Sequence, residues 1–376
     1  VSAAATRAYE RAGIAAIAER VRAGERLTRE DGHALFLAPD LFAVGALADE
    51  VRARLHGDRA YYNRNMHLNP TNVCVERCLF CGFARRSDTE AGAFTLSPEA
   101  CRERVASVVL RSPGISEVHV VGGLHPTKPF DYYLDVVRAV REAAPRAVIK
   151  AYTAEEIDHF ARISGLSLDA VLEAMKDAGV TALPGGGAEI FDPAVRKKVC
   201  PDKIPAERWF EIHARAHALG LPSNATMLFG HVETEAQRVD HMIRVREGQD
   251  RSHGFQCFIP LPFNPRETFL RKLTNGPTGA EILRTLAVSR LMIDNVPHLK
   301  AYWVMCGLPV AQVALGFGVD DLDGTLVAEK IVHMAGADTP IGLTEEALAR
   351  TIREARRTPV ERDSFYRPIV REAVLS

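Results

Sequence analysis

"SPEACRERVASVVLRSPGISEVHVVGGLHP", residues 97–126, holds the chain's repeating unit in one piece. Its first half mixes charged and apolar positions as an amphipathic helix does. Its second half, "SEVHVVGG" (116–123), is short, β-branched and closed by glycine, as a strand is. The same pairing recurs on both sides. "NMHLNPTN" (65–72) precedes it as a first strand. Downstream, "RAVIKAYT" (146–153) follows "YYLDVVRAVREAA", "VTALPGGG" (180–187) follows "SLDAVLEAMKDAG", and "LPSNATMLFG" (221–230) follows "AERWFEIHARAHALG". "GFQCFIPL" (254–261) follows "EAQRVDHMIRVREGQD", "HLKAYWVM" (298–305) follows "TGAEILRTLAVSRLMIDN", and "VALGFGVDD" (313–321) is the eighth candidate.

A period of roughly 30 to 40 residues is the size of a βα unit. Strands alternating with helices argue for parallel crossovers, and eight of them close a TIM-type (βα)8 barrel. A doubly wound open sheet is the alternative. The expected class is α/β, with an N-terminal helical segment over 1–60, the barrel over 61–325, and a C-terminal helix and tail over 326–376. Gly179, Gly220 and Asn295 stand where helices should stop. Glycine-rich or polar motifs follow the strands at Gly122–Gly123, Gly185–Gly187, Gly230–His231 and Asp320–Asp323. In a barrel these strand ends share one rim, where active sites lie.

The whole chain sets the bounds. Its 376 residues exceed what one compact core usually holds, unless the fold is a barrel. Hydrophobic content of 47% and charged content of 25% are ordinary for a globular protein. A net charge of −1 points away from nucleic acid and anionic membranes as partners. The alanine-rich start reads as an amphipathic helix without a signal peptide's apolar run. No stretch approaches the roughly 18 apolar residues a bilayer span needs. The expectation is a cytoplasmic enzyme whose seven cysteines are thiols or metal ligands, not disulfides.

"NPTNVCVERCLFCGFARR" (69–86) places Cys74, Cys78 and Cys81 at the end of the first strand, on that rim. Thiolates suit iron and zinc. Three of them can hold three irons of a [4Fe–4S] cube and leave the fourth iron open. Two other readings stand beside this one: a zinc site completed by His67 or Cys101, and three unrelated buried thiols. Cys101, Cys200, Cys257 and Cys306 show no ligand spacing and read as packing residues.

The rim motifs supply further candidates. Gly122 and Gly123 let a ligand approach the backbone, and Gly186 and Glu189 of "LPGGGAEIF" (183–191) stand on the same rim. Period-2 alternation turns Asn224, Thr226 and Leu228 inward and Ala225, Met227 and Phe229 outward. By the same rule His298, Lys300 and Tyr302 face in, and Leu299, Ala301 and Trp303 face out. A lysine inside a barrel needs a carboxylate, either a barrel Asp or Glu or that of a substrate. His125 is a candidate for substrate contact or proton transfer, or else caps the next turn.

The CxxxCxxC spacing, with aromatic Phe80 before the last cysteine, resembles the radical SAM superfamily. That resemblance implies a [4Fe–4S] cluster on Cys74, Cys78 and Cys81. Its open iron binds S-adenosylmethionine (SAM), and an electron from the reduced cluster cleaves SAM to a 5′-deoxyadenosyl radical. It also implies SAM contacts at Phe80, Gly122, Gly123, Gly186, Glu189, Asn224 and Glu233. The usual acidic residue after the glycine pair is missing, because Leu124 and His125 stand there. From about residue 20 to the end, "NPTNVCVERCLFCGF", "GGLHP", "LPGGGAEIF", "SNATMLFGH", "HLKAYWVM", "DDLDGT" and "VERDSFY" resemble the aminofutalosine synthases of the futalosine route to menaquinone. The dehypoxanthine futalosine cyclases and the deazaflavin-forming FO synthase subunits are near relatives. The resemblance implies addition of the adenosyl radical to 3-[(1-carboxyvinyl)oxy]benzoate, aryl migration and loss of bicarbonate. The products would be 6-amino-6-deoxyfutalosine and methionine. An external one-electron donor such as flavodoxin or ferredoxin is implied too. The acceptor's two carboxylates give Lys300, Arg85, His125 and His231 a job, with Thr226 and Tyr302 beside them.

Overall fold

The computed structural model describes residues 3–371. Val1 and Ser2 of the expected N-terminal segment, and residues 372–376 of the expected tail, lie outside them. The strands are β1 (Arg59–Asn63), β2 (Asn65–Leu68), β3 (Glu117–Val120), β4 (Val148–Ala151), β5 (Ser223–Phe229), β6 (Phe255–Pro262), β7 (His298–Leu299), β8 (Asp321–Gly324) and β9 (Thr358–Glu361).

All the strand ladders are parallel, and they form a ring. β2 pairs with β3, and β3 with β4. Lys150 of β4 bridges Ala182, and Leu183 bridges Ser223 of β5, so residues 182–183 are the fourth member. β5 pairs with β6 and β6 with β7, and Lys300 bridges Asp321 of β8. β8 pairs with β1, and Met66 of β2 bridges Val327, which closes the circle. β1 and β2 thus act as one bent strand. The ring runs from Arg59 to Val327, against the expected 61–325.

Helices fill the crossovers, among them Pro98–Arg111, Leu168–Ala178 and Gly279–Met292. Ser97, Ser167 and Thr278 cap them by accepting the N–H of the third residue on. Four helices between Ala3 and His56 precede the barrel. The last, Leu41–His56, lies against Gly279–Met292. None of the described helices is long and apolar enough to cross a membrane.

Three elements depart from the expected pattern. "VALGFGVDD" is not the eighth strand. Pro309 starts a helix, Leu308–Ala314, and the strand begins only at Asp321. In "HLKAYWVM" only His298 and Leu299 are regular strand, and Trp303–Cys306 is helical. The Trp303 indole N–H donates to the Gly324 carbonyl at 2.9 Å, which fastens that helix across the end of β8. The C-terminal segment, finally, holds a helix, Glu345–Glu354, and beyond it a strand not expected there, β9, which adds to β1 in parallel.

Beyond β9 the chain turns under the barrel. The Arg362 guanidinium donates to Asp321 at 2.6 Å, and the Ser364 hydroxyl reaches Glu117. The Tyr366 ring stacks on His298 with centroids 3.5 Å apart. His298 in turn stacks on His56 and donates to Asp320, whose other oxygen Arg290 holds. Residues 362–366 are therefore the floor of the barrel.

Candidate active site

A cavity of about 340 Å³ opens at the carboxyl ends of the strands. That is within the size range of small-molecule sites. The cysteine loop forms one wall. It leaves β2 at Leu68 and is tied at each step. The Asn69 amide donates to Val121 O, Cys74 N–H to Arg85 O, Val75 N–H to Leu124 O and Leu79 N–H to Val199 O. Cys74, Cys78 and Cys81 all line the cavity and form no disulfide. Burial pushes the Cys74 thiol up to about 11 and raises the other two as well. Metal binding would release their protons.

The donor set fits an iron–sulfur cluster better than one ion. Ligands of a single tetrahedral zinc, each about 2.3 Å away, crowd within roughly 4 Å of one another. Among the described residues the one set of three His, Cys, Asp or Glu ligand atoms within 4.8 Å of one another is His56, His298 and Asp320, at the barrel floor. The three thiols are spread more widely, as the corners of a cube of irons require.

The glycine pair has a sharper reason than ligand approach. An added Cβ at Gly123 would stand 2.2 Å from Val73 O, and one at Gly122 would stand 2.8 Å from Thr71 O. The absent side chains thus let the rim loop lie against the cysteine loop. Gly186 likewise faces Thr153, where a Cβ would stand 2.9 Å from its methyl group.

Phe80, Gly122, Gly123, Gly186, Glu189, Asn224, Thr226, Lys300 and Tyr302 line the cavity with the cysteines. Leu228 joins Asn224 and Thr226 there, as alternation along β5 requires. Several of these side chains are already engaged. Glu189 pairs with Lys203 at 2.9 Å, and the Thr226 hydroxyl donates to Gly185 O at 2.7 Å. Lys300 pairs with Asp323 at 2.9 Å, so its carboxylate is one of the barrel's own.

Four expected contacts do not line the cavity. Arg85 donates to the carbonyls of Gly82, Phe83, Ala84 and Ala91 and so ties its own loop together. His125 caps a turn: Nδ1 accepts from Thr127 N–H at 3.2 Å, and Nε2 contacts Asp88 at 3.1 Å. His231 folds back, with Nε2 on Leu228 O and Nδ1 accepting from Val232 N–H. Glu233 accepts from the N–H groups of Gly230 and His231 and pairs with Arg238 at 2.7 Å. His125 and His231 use both ring nitrogens on neighbouring groups, Glu233 is shared by two backbone N–H groups and Arg238, and Arg85 is turned to the carbonyls of its own loop.

Other cavity groups carried no functional signal in the sequence, apart from His67, which is a candidate ligand in the zinc reading. His67 and His119 stack with centroids 4.6 Å apart in the barrel interior, and burial lowers both. Lys150 pairs with Glu117 at 2.8 Å. Burial alone would raise Glu117, but Lys150, then Lys300 and Arg362, hold it well below its usual range. Glu155 and Glu156 lie just beyond β4, where burial lifts them to about 8 and about 7. The only local signal for them was "TAEE", which reads as a capping box, and Thr153 and Glu156 do form one.

These shifts give the fold a pH dependence. Burial lowers eight histidines, His217 to about 4 and His241 to about 3 among them. Each is neutral in the fold and protonates in the unfolded chain below about 6.5. Their contribution is complete above that value and is lost as pH falls toward the folded values. Glu155 and Glu156 act in the opposite sense above about 4.5, and so does His333, which burial would lower but which its bonds to Thr339 and Glu329 raise, three groups against eight. The urea midpoint is expected to drop between about pH 7 and pH 5.5; a flat or rising profile would contradict this.

Residues 68–245 match the radical SAM superfamily, and residues 252–373 match the CofH/MqnC C-terminal region. The aminodeoxyfutalosine synthase of Thermus thermophilus is 49% identical over 360 residues, covering 94% of this chain and 95% of that one. The aminodeoxyfutalosine synthase of Streptomyces coelicolor is 45% identical over 364 residues, covering 94% and 93%. In structure, methylornithine synthase superposes with a TM-score of 0.71 at 16% identity, over 91% of this chain and 96% of that one.

Proposed function

The chain belongs to the radical SAM superfamily, and from that membership we propose that it is an aminodeoxyfutalosine synthase. It would join SAM to 3-[(1-carboxyvinyl)oxy]benzoate with uptake of one water and give 6-amino-6-deoxyfutalosine, methionine, bicarbonate and a proton. What carries this reading is identity of 45–49% to two such synthases along nearly the whole chain, with the three cysteines facing one cavity.

Cys74, Cys78 and Cys81 would hold a [4Fe–4S] cluster, which with bound SAM would supply a 5′-deoxyadenosyl radical. The chain's own residues do the rest. Phe80 covers the cluster side of the cavity, with the Lys203 ammonium 5.8 Å from its ring centroid. Gly122 and Gly123 hold the rim against the cysteine loop. Lys300 spends one donor on Asp323 and has two left for an acceptor carboxylate. The apolar wall of Leu228, Ile259, Leu261 and Phe263 suits the benzoate ring and excludes water. An external one-electron donor of the flavodoxin or ferredoxin kind would reduce the site in the cytoplasm.

The test is anaerobic turnover with dithionite, SAM and the enolpyruvyl benzoate. Mass spectrometry should find the adenosyl carbons in the coupled product. Free 5′-deoxyadenosine without coupled product would overturn the reading in favour of a hydrogen-abstracting relative. A second measurement addresses Lys300. A lost charged hydrogen bond costs about 1.5–3 kcal/mol, so Lys300→Met should raise the acceptor KM about tenfold or more. SAM binding should stay intact. Pairing it with Asp323→Asn removes the stranded carboxylate, and unchanged kinetics would dismiss the role.

A further inference from the structure

The cysteine loop comes to the surface at Leu79, which is partly exposed and directly follows Cys78. Two other segments hold the backbone there. Leu79 N–H donates to Val199 O at 2.8 Å, and Leu79 O accepts from Phe269 N–H at 3.0 Å. The loop is thus pinned between the end of the helix Pro193–Val199 and the turn Phe269–Lys272.

Both flanking segments carry cations that nothing in the protein neutralises. Lys197, Lys198, Arg271 and Lys272 are exposed and form no ion pair among the described residues. The same stretches hold one exposed carboxylate, Glu267. Other cations nearby are already answered, Arg77 by Asp202 and Arg266 by Asp338. The whole chain carries a net charge of −1, so this positive excess is local. Two large apolar side chains stand among the cations. Phe269 is 72% exposed and Leu273, four residues on, is 60% exposed. Covering them with a partner would be favourable. An apolar centre with a polar rim is the make-up of a protein interface, and a small one suits a transient electron-transfer encounter.

We propose that this face docks a small acidic one-electron carrier protein beside Cys78. The positive rim would meet the carrier's acidic surface, and Phe269 and Leu273 would seat its apolar edge. In the complex the carrier is oxidised by one electron and the cluster is reduced by one, with no bond made or broken. This rests on Cys74, Cys78 and Cys81 holding a redox-active cluster. An anionic membrane would also attract the cations, but it has no need to sit against the cysteine loop.

The experiment measures equilibrium binding of an acidic flavodoxin to the iron-reconstituted full chain, and then the rate at which its hydroquinone reduces the cluster. Wild type should bind it, more weakly as salt rises. Reversing all four cations (Lys197→Glu, Lys198→Glu, Arg271→Glu, Lys272→Glu) should weaken binding about tenfold or more at low salt, and slow reduction in step at subsaturating flavodoxin. Phe269→Ser should weaken binding while leaving its salt dependence in place. Reduced methyl viologen, a small cation, should reduce the four-site variant no more slowly than wild type. A damaged cysteine loop would slow both reductants. Arg7→Glu with Arg146→Glu, exposed cations on other elements, is the control and should keep wild-type binding. A four-site variant that binds flavodoxin like wild type overturns the proposal, and so does a control that loses as much. Wild type that binds phosphatidylserine vesicles and not flavodoxin overturns it too. A chain that assembles no iron–sulfur cluster fails the family reading itself, and this is scored before flavodoxin is added.

Discussion

Replacing Arg362 by alanine is expected to destabilise the protein by about 3–5 kcal/mol, the usual cost of stranding a buried charge. Arg362 is 1% exposed, and its guanidinium lies 2.6 Å from Asp321 and 4.3 Å from the Tyr366 ring centroid. Truncation leaves Asp321 without its directly paired cation at the barrel floor. It also removes one of the three cations that hold Glu117 ionised. Denaturant unfolding measures the loss. The double change Arg362→Leu with Asp321→Asn should recover much of it, because removing both charges avoids the desolvation cost. A loss below about 1 kcal/mol, the level of an exposed pair, would show that the floor is wetter than described.

Gly123→Ala is expected to abolish cluster assembly. The new Cβ would overlap Val73 O at 2.2 Å, and a backbone carbonyl cannot rotate away as a side chain can. Val73 immediately precedes Cys74, so any relief moves the first ligand. Overpacking of this kind costs typically 1–3 kcal/mol or more. Iron per chain after anaerobic reconstitution is the measurement. Gly279→Ala is the matched control, since its Cβ would meet Val310 at an ordinary 3.7 Å. A full iron complement in Gly123→Ala would refute the close approach of the two loops.

Legibility in the sequence followed locality. The cysteines, the glycine pair and the inward face of β5 are adjacent or alternating positions, so their spacing carries their meaning. β8 did not show, because "DLDG" is buried yet acidic, and its charges find Lys300 and Arg362 from distant elements. β9 did not show either. It is four residues long, contains Pro359, and pairs on one side only, where a proline is tolerated. The polar interior of Glu117, Lys150, His67 and His119 comes from successive strands that read as ordinary alternation. Only register tells that these side chains meet. Arg85, His125, His231 and Glu233 were attractive as rim residues, and each proved to be fastening its own turn.

The floor built by residues 362–366 also orders events during synthesis. Thr358 bonds to Asp58 across 300 residues of chain, and Tyr366 stacks on His298 from below. On the ribosome the cysteine loop emerges long before the segment that seals the barrel, since Thr358 follows Asp58 by 300 residues. Until then the half-built ring has an unpaired β1 edge and an open bottom. Such nonlocal closure is slow and exposes strand edges on the way. The ring around the cysteine loop therefore closes only once a segment made 300 residues beyond Asp58 has folded back onto it.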